Sequence, residues 1–201
     1  MKPLLDRCVG ELSAAIDAFP WEDRAAYTDW VAQTYYYVRH STRLLAAAAA
    51  RFPMDKRGNA LHHRFAAHMN EEKKHEQLAL YDIKQLGSAI ESLPEHSSTR
   101  TFYEPQYYKI EHVHPVALFG YILPLEATGP LCGKRIMPRV TTAHGTHCVS
   151  FLKLHVEEDV DHVAKALEIV AGIPVEEQAL IEQNLLQTTY SYAAMLAEIR
   201  G

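Results

Sequence analysis

Cysteine is scarce. The three present in 201 residues, at positions 8, 132 and 148, are odd in number and spaced like neither a disulfide framework nor a zinc ribbon. That scarcity excludes thiolate metal binding and points to a reducing compartment, the cytoplasm. Long hydrophobic runs are missing too: no stretch approaches the roughly 18 apolar residues of a membrane-spanning helix, and the alanine run 46–50 is bounded by Arg43 and Arg51. The opening segment MKPLLDRCVGELSAAIDAF lacks a signal peptide's continuous apolar core, being interrupted by Asp6, Arg7, Glu11 and Asp17. Positive charge is not in excess, with a net charge of -5, which excludes the basic face that nucleic acid requires. Repeats, low-complexity tracts and the apolar–polar alternation of strands are absent as well. With 48% apolar and 22% charged residues, the chain is expected to form one domain, 1–201, burying about 70% of the surface its unfolded form exposes.

Helical periodicity is what the sequence does offer, and it predicts an all-α fold. A first helix runs from about Pro3 to Phe19, with Leu4, Leu5, Cys8, Leu12, Ala15 and Ile16 at helical spacing, and Pro20 ends it. A second long segment covers about Glu22 to Ala50 and is expected to bend at the polar patch His40-Ser41-Thr42. Asp55 is a candidate N-cap for a third helix of about 30 residues that stops at Gly87. From Ser88 to about Tyr103 the sequence reads as a loop, a candidate flexible cover. A fourth helix begins between Glu104 and Pro115 and is expected to kink or end at Pro124, followed by a short or broken helix to about Pro138. A fifth covers about Gly145 to Ala171, and a sixth runs from Pro174 to the C-terminus, where an Ala/Leu face at 180–196 makes a homodimer reasonable.

Three groups of residues carry chemistry. In HVEEDVDHVAKALEIV, read as one unbroken helix, His155, Asp159 and His162 fall at i, i+4 and i+7 and share one stripe. Leu152 and Ala166 extend that stripe inward, and a buried row of three polar groups needs partners, which a metal or an inter-helix hydrogen-bond network would supply. Glu72 and His75 lie three apart on one helix face, a pair that can bind one metal or bridge two. An exposed charged pair is the other reading, and Glu71, four residues before His75, is an alternative to Glu72. Glu126 sits in the apolar run YILPLEATGPL, where an ionised carboxylate requires a cation, either a metal or an arginine such as Arg39 or Arg43 from another helix. Tyr35, Tyr36, Tyr37, Tyr107, Tyr108 and Tyr121 could line a pocket or donate an electron, but helically spaced aromatics are more often packing.

Charge counting favours two metals. Three carboxylates and three neutral imidazoles around two divalent ions leave about +1, which water, hydroxide or a substrate carboxylate neutralises, whereas one ion leaves about −1. Nitrogen and oxygen ligands without thiolate suit two Fe2+ ions or manganese for redox chemistry, with zinc able to occupy the same atoms in purified protein.

The ordered set Glu72 and His75, then Glu126, then His155-x-x-x-Asp159-x-x-His162, resembles the haem-oxygenase-like diiron oxidases of the haem-oxygenase/TenA-like superfamily, a helical bundle of about six to eight helices. The stretch EEKKHEQLALYDIKQLG, with its His-Glu pair, following Asp and terminal Leu-Gly, resembles that superfamily's central helix, and the likeness covers about residues 20–170. It implies that the six residues hold two irons. It also implies that the protein activates dioxygen, with an external reductant where needed, to oxidise a small carboxylic acid, amine or amino acid. It leaves His68, one turn before Glu72, as a further candidate.

Other functions fit less of the sequence. A TenA-like thiamine-salvage hydrolase would use Cys132 in GPLCGKR as nucleophile, yet no base stands near it in sequence. A haem oxygenase would need a proximal histidine in the first helix, which has none. A ferritin-like bundle would show a second Glu-x-x-His in place of Asp159-x-x-His162 and leave His155 unused. A non-enzymatic helical binding module would keep the same polar groups as a buried network.

Overall fold

Leu5, Cys8, Val9, Leu12 and Ile16 return every three or four residues along α1 (Lys2–Asp17) and are all buried. The turn after α1 is closed by Trp21, whose indole N–H donates to the Ile16 carbonyl at 2.6 Å. In this computed structural model, residues 1–158 and 160–200 are described, the side chains of 157–162 and 200 excepted. The described residues form ten α-helices and three short 3₁₀ turns, with no strand among them.

Asp23 caps α2 (Arg24–Val38) by accepting the Ala26 N–H at 2.9 Å. At the polar patch the chain breaks outright: Arg39 and His40 separate α2 from α3 (Ser41–Arg51), and His40 is held there by Tyr107 Oη at 2.8 Å and by stacking on Tyr103. Asp55 caps α4 (Lys56–Glu71) through the Gly58 N–H at 2.7 Å. The expected 30-residue helix is interrupted beyond that point, because Lys74 takes a left-handed conformation, φ 73°, and α5 (His75–Gln85) starts afresh. Gly87, φ 78°, ends α5 as expected: its N–H reaches the Lys84 carbonyl and the Ser88 N–H the Ile83 carbonyl, a Schellman closure.

The segment after Gly87 is no loose cover. Gln33, fully buried on α2, binds Pro94 O, His96 N and Thr99 Oγ1 within 3.0 Å, and Tyr36 Oη donates to Leu93 O at 2.8 Å. The next helix, α6 (Ser97–His112), begins earlier than the Ser/Thr-rich sequence suggested.

Pro124 was expected to kink or end the fourth helix and a short or broken one to follow to about Pro138, yet α7 (Phe119–His144) continues through Pro124, Pro130 and Pro138. Each removes one backbone hydrogen bond, but α7 is the central rod, enclosed by α1 and by α8 (Ser150–Glu158), α9 (Val160–Ala171) and α10 (Val175–Arg200). Packing outweighs those losses. At Gly120, α10 comes so close that a Cβ would lie 2.2 Å from the Ile181 carbonyl oxygen. Residues 115–144 are apolar and long enough to cross a membrane by length and composition alone, but 78% of that window is buried inside the fold, as in a core helix.

The predicted fifth helix begins later than expected. Cys148 lies in a 3₁₀ turn, then α8 starts with the N–H groups of Ser150 and Phe151 both donating to the buried Asp82 carboxylate on α5, each at 2.9 Å. Along α10, Ile181, Leu185, Tyr192, Met195 and Leu196 face the core, leaving Leu186 and Tyr190 exposed.

Candidate metal centre

The break at Lys74 shapes the site. Glu72 caps the C-terminus of α4 and His75 is the first residue of α5, so they meet across a turn instead of along one helix face, His75 Nδ1 standing 3.4 Å from Glu72 Oε2. A non-glycine residue held at positive φ costs about 1–2 kcal/mol, a strain that in folded proteins clusters at functional sites.

From α8, His155 brings its ring to 5.1 Å from that of His75, nearly perpendicular. Its Nδ1 lies 2.9 Å from the Phe151 carbonyl, which can only accept, so in the neutral ring Nδ1 carries the proton and Nε2 the lone pair. Glu72, His75 and His155 each offer a ligand atom, and these atoms lie within 4.8 Å of one another.

Glu126, on α7, is 6% exposed, as its apolar sequence context required. Its cation is neither Arg39, which pairs with Glu95, nor Arg43, which bonds the Arg39 carbonyl. His68 fills that place: its Nε2 is 3.0 Å from Glu126 Oε1 and 3.5 Å from Glu72 Oε1. Burial works against the His68 imidazolium, but hydrogen bonding to Glu126 and Glu72 outweighs it and pushes its pKa up to about 9. Burial likewise opposes ionisation of Glu72, yet His68 and His75 hold it well below the usual carboxylate range. Glu71 turns away to Arg64, 3.7 Å off, so Glu72 is the residue facing the cluster.

Asp159 and the side chain of His162 lie outside the described residues; Glu72, His75, Glu126 and His155 are brought to one locus. A metal fits this locus on chemical grounds. Glu126 Oε2 is buried with no hydrogen-bond partner, Glu126 Oε1 and His75 Nδ1 are met by His68 and Glu72, and carboxylate and imidazole donors without thiolate suit iron.

Beside the ligands opens an apolar cavity of about 120 Å³, with His68, Glu72, Glu126 and His155 in its wall. Of the tyrosines singled out in the sequence, Tyr37 and Tyr121 line it. Tyr36 instead ties down Leu93, Tyr107 holds His40, and Tyr108 is exposed. Cys132 is buried and also contributes to the wall. Sequence reading gave no sign of the Asp82 cap beneath His155, because its partners lie 68 and 69 residues away.

A family model described as an iron-containing redox enzyme matches residues 28–195. No curated protein matches the chain in sequence. Among solved structures, a domain of unknown function with a haem-oxygenase-like fold from Shewanella denitrificans superposes with a TM-score of 0.86 at 17% identity, covering 99% of this chain and 91% of that one. A TenA homologue from Pseudomonas syringae pv. tomato gives 0.81 at 11% identity, with 99% and 91% covered. Another, from Pyrococcus furiosus, gives 0.76 at 11% identity, with 98% and 99% covered. These likenesses establish the fold, an all-helical bundle of the haem-oxygenase/TenA-like kind.

Proposed function

The chain belongs to the iron-containing redox enzyme family, and from that premise we propose that it is an O2-dependent non-haem diiron oxidase acting on a small organic substrate. The observation that carries this reading is the gathering of Glu72, His75, His155 and the buried Glu126 carboxylate, with His68 between the two acids, at the polar end of an apolar cavity. These four, with Asp159 and His162 from the sequence pattern, would hold two irons. Bound iron would supply the electrons that reduce dioxygen, replenished by an external reductant.

The chain's own residues do the rest. Phe151 O holds the His155 ring in one tautomer, and His68 spans the two carboxylates so that neither swings into the cavity. The apolar wall keeps bulk water from the reacting groups. Buried, unpaired thiols at Cys8, Cys132 and Cys148 suit a cytoplasmic setting.

Oxygen uptake tests the proposal: protein reconstituted anaerobically with Fe(II) consumes dioxygen on mixing with air-saturated buffer and reductant, and Glu72→Gln does so at least tenfold more slowly. Equal uptake by the variant and the wild type contradicts it.

One observation favours a second reading. Cys132 lines the same cavity, as a nucleophile in a metal-free TenA-like hydrolase would have to. Its described hydrogen-bond partner is Arg135 at 3.8 Å, a cation and not a base. Thiamine-degrading activity that needs no iron and disappears in Cys132→Ser would establish this reading over the diiron one.

A further inference from the structure

The cavity beside the ligands follows one stripe of α7. Ile122, Glu126, Gly129, Gly133 and Ile136 line it at helical spacing, with Cys132 beside them. Between Glu126 and Ile136 the helix rises about 15 Å, part of which the two side chains occupy. The room between them exists because positions 129, 132 and 133 carry small side chains or none. Rings lead the same way: Phe151 stacks on His155 at 4.1 Å, Trp30 stands 6.4 Å from Phe151, and Trp21 5.0 Å from Trp30. At the far end Ile16, Trp21 and Ile136, all buried, close the cavity.

Trp21 is a fixed wall. Its indole N–H donates to the Ile16 carbonyl at 2.6 Å, the Phe19 ring packs on it at 4.6 Å, and its own carbonyl accepts from His144 Nε2 at 2.7 Å. Arg139 donates to the Asp17 and Phe19 carbonyls at 3.2 and 3.3 Å. His144 and Arg139 both belong to α7, so the central helix clamps the turn that carries the ring. The two ends of the cavity differ in chemistry. His68, Glu72, Glu126 and His155 make one end charged, whereas Ile16, Trp21 and Ile136 bring no charge to the other, and the single polar side-chain atom there, the indole nitrogen, is already bonded.

We propose that Trp21 is the stop that sets which substrates fit: a substrate reacting at the ligand end lays a short, uncharged tail against Trp21. A tail ending in a charged or hydroxyl group is rejected, because nothing at the Trp21 end can replace the hydrogen bonds it would lose to water. The volume of about 120 Å³ sets the length. A cavity of ~150 Å³ takes up benzene, so a tail of about six carbons fills this one. The inference deepens the oxidase reading, which supplies the reacting end, but the shape of the tail site stands on the wall alone.

Calorimetric titration of the metal-free protein with straight-chain primary alcohols tests it, since these neutral probes ask nothing of a metal. From butanol to hexanol the affinity is expected to rise about fourfold per added methylene. Octanol should bind no more tightly than hexanol, and 1,6-hexanediol at least tenfold more weakly. Trp21→Leu should let octanol overtake hexanol tenfold or more. Ile16→Ala, which keeps the backbone acceptor of the indole, should shift the limit the same way and serves where Trp21→Leu does not fold. Tyr37→Leu, which enlarges the wall elsewhere, should leave the order of the alcohols unchanged. Wild-type affinity that keeps climbing through octanol, a diol that binds like hexanol, a folded Trp21→Leu with the wild-type order, or a Tyr37→Leu that shifts the limit overturns the inference. Protein that shows the expected alcohol series yet retains no iron refutes the diiron reading and upholds this one.

Discussion

Replacing Asp82 by alanine strips the first turn of α8 of its cap, and the structure sets the size of the loss. The carboxylate is fully buried and accepts two backbone N–H groups, from Ser150 and Phe151, each at 2.9 Å. Hydrogen bonds to a charged acceptor contribute about 1.5–3 kcal/mol each, and losing a helix cap costs about 1 kcal/mol. Burial opposes this gain: it pushes the Asp82 pKa up despite the two amide donors, so part of the hydrogen-bond energy offsets desolvation. A net loss of about 2–4 kcal/mol follows. For a chain of this length that lowers the melting temperature by about 5–15 °C. Asp82→Asn keeps the shape and one acceptor, and should lose about half as much. Because His155 sits one turn beyond the capped residues, its ring against Phe151, Asp82→Ala should also weaken iron binding by about tenfold. Calorimetric melting of the metal-free proteins checks the first part and iron titration the second. Melting of Asp82→Ala within about 2 °C of wild type would refute the reasoning, as would an asparagine variant no better than alanine.

Other outcomes follow from single positions. Burial, aided by Arg39 and Arg43, pushes the His40 pKa from 6.5 down to about 4, so as the pH falls the unfolded chain takes up this proton first. Stability is therefore lost between about pH 6.5 and pH 4, and His40→Phe should remove that part of the slope in melts at pH 7.5 and 5.5. Lys74→Gly relieves the left-handed backbone and should stabilise by about 0.5–1 kcal/mol in urea titration, whereas Lys74→Val should destabilise. Gly120→Ala places a Cβ 2.2 Å from the Ile181 carbonyl oxygen and should destabilise by about 3 kcal/mol or more, read from the same titration.

What could be read from sequence was set by the range of the interactions. Local periodicity and local caps showed the helical class, the Asp55 start and the Gly87 stop, because their partners lie within a turn. Three boundaries were decided by tertiary contacts. His40 is held off α2 by Tyr107, 67 residues away; α7 keeps its prolines because it is enclosed; and the loop after Gly87 is fixed by Gln33 on α2. Residue type and hydropathic context singled out Glu72, His75, Glu126 and His155, and the structure brings these four together. Neither showed why they meet, since Glu72 and His75 converge through a turn at Lys74 and not through the helical spacing that suggested them. His68 stood one turn before Glu72 as an open candidate, and its contact with Glu126 came from the packing of α4 on α7.

Metal content is the most direct measurement of the central claim. After anaerobic Fe(II) loading and desalting, the wild-type protein is expected to retain about two irons per chain, with Glu126→Gln and His155→Ala each retaining markedly less while melting as folded proteins. Wild-type protein that retains no iron, or variants that retain as much as the wild type, would contradict the metal centre assigned to Glu72, His75, Glu126 and His155.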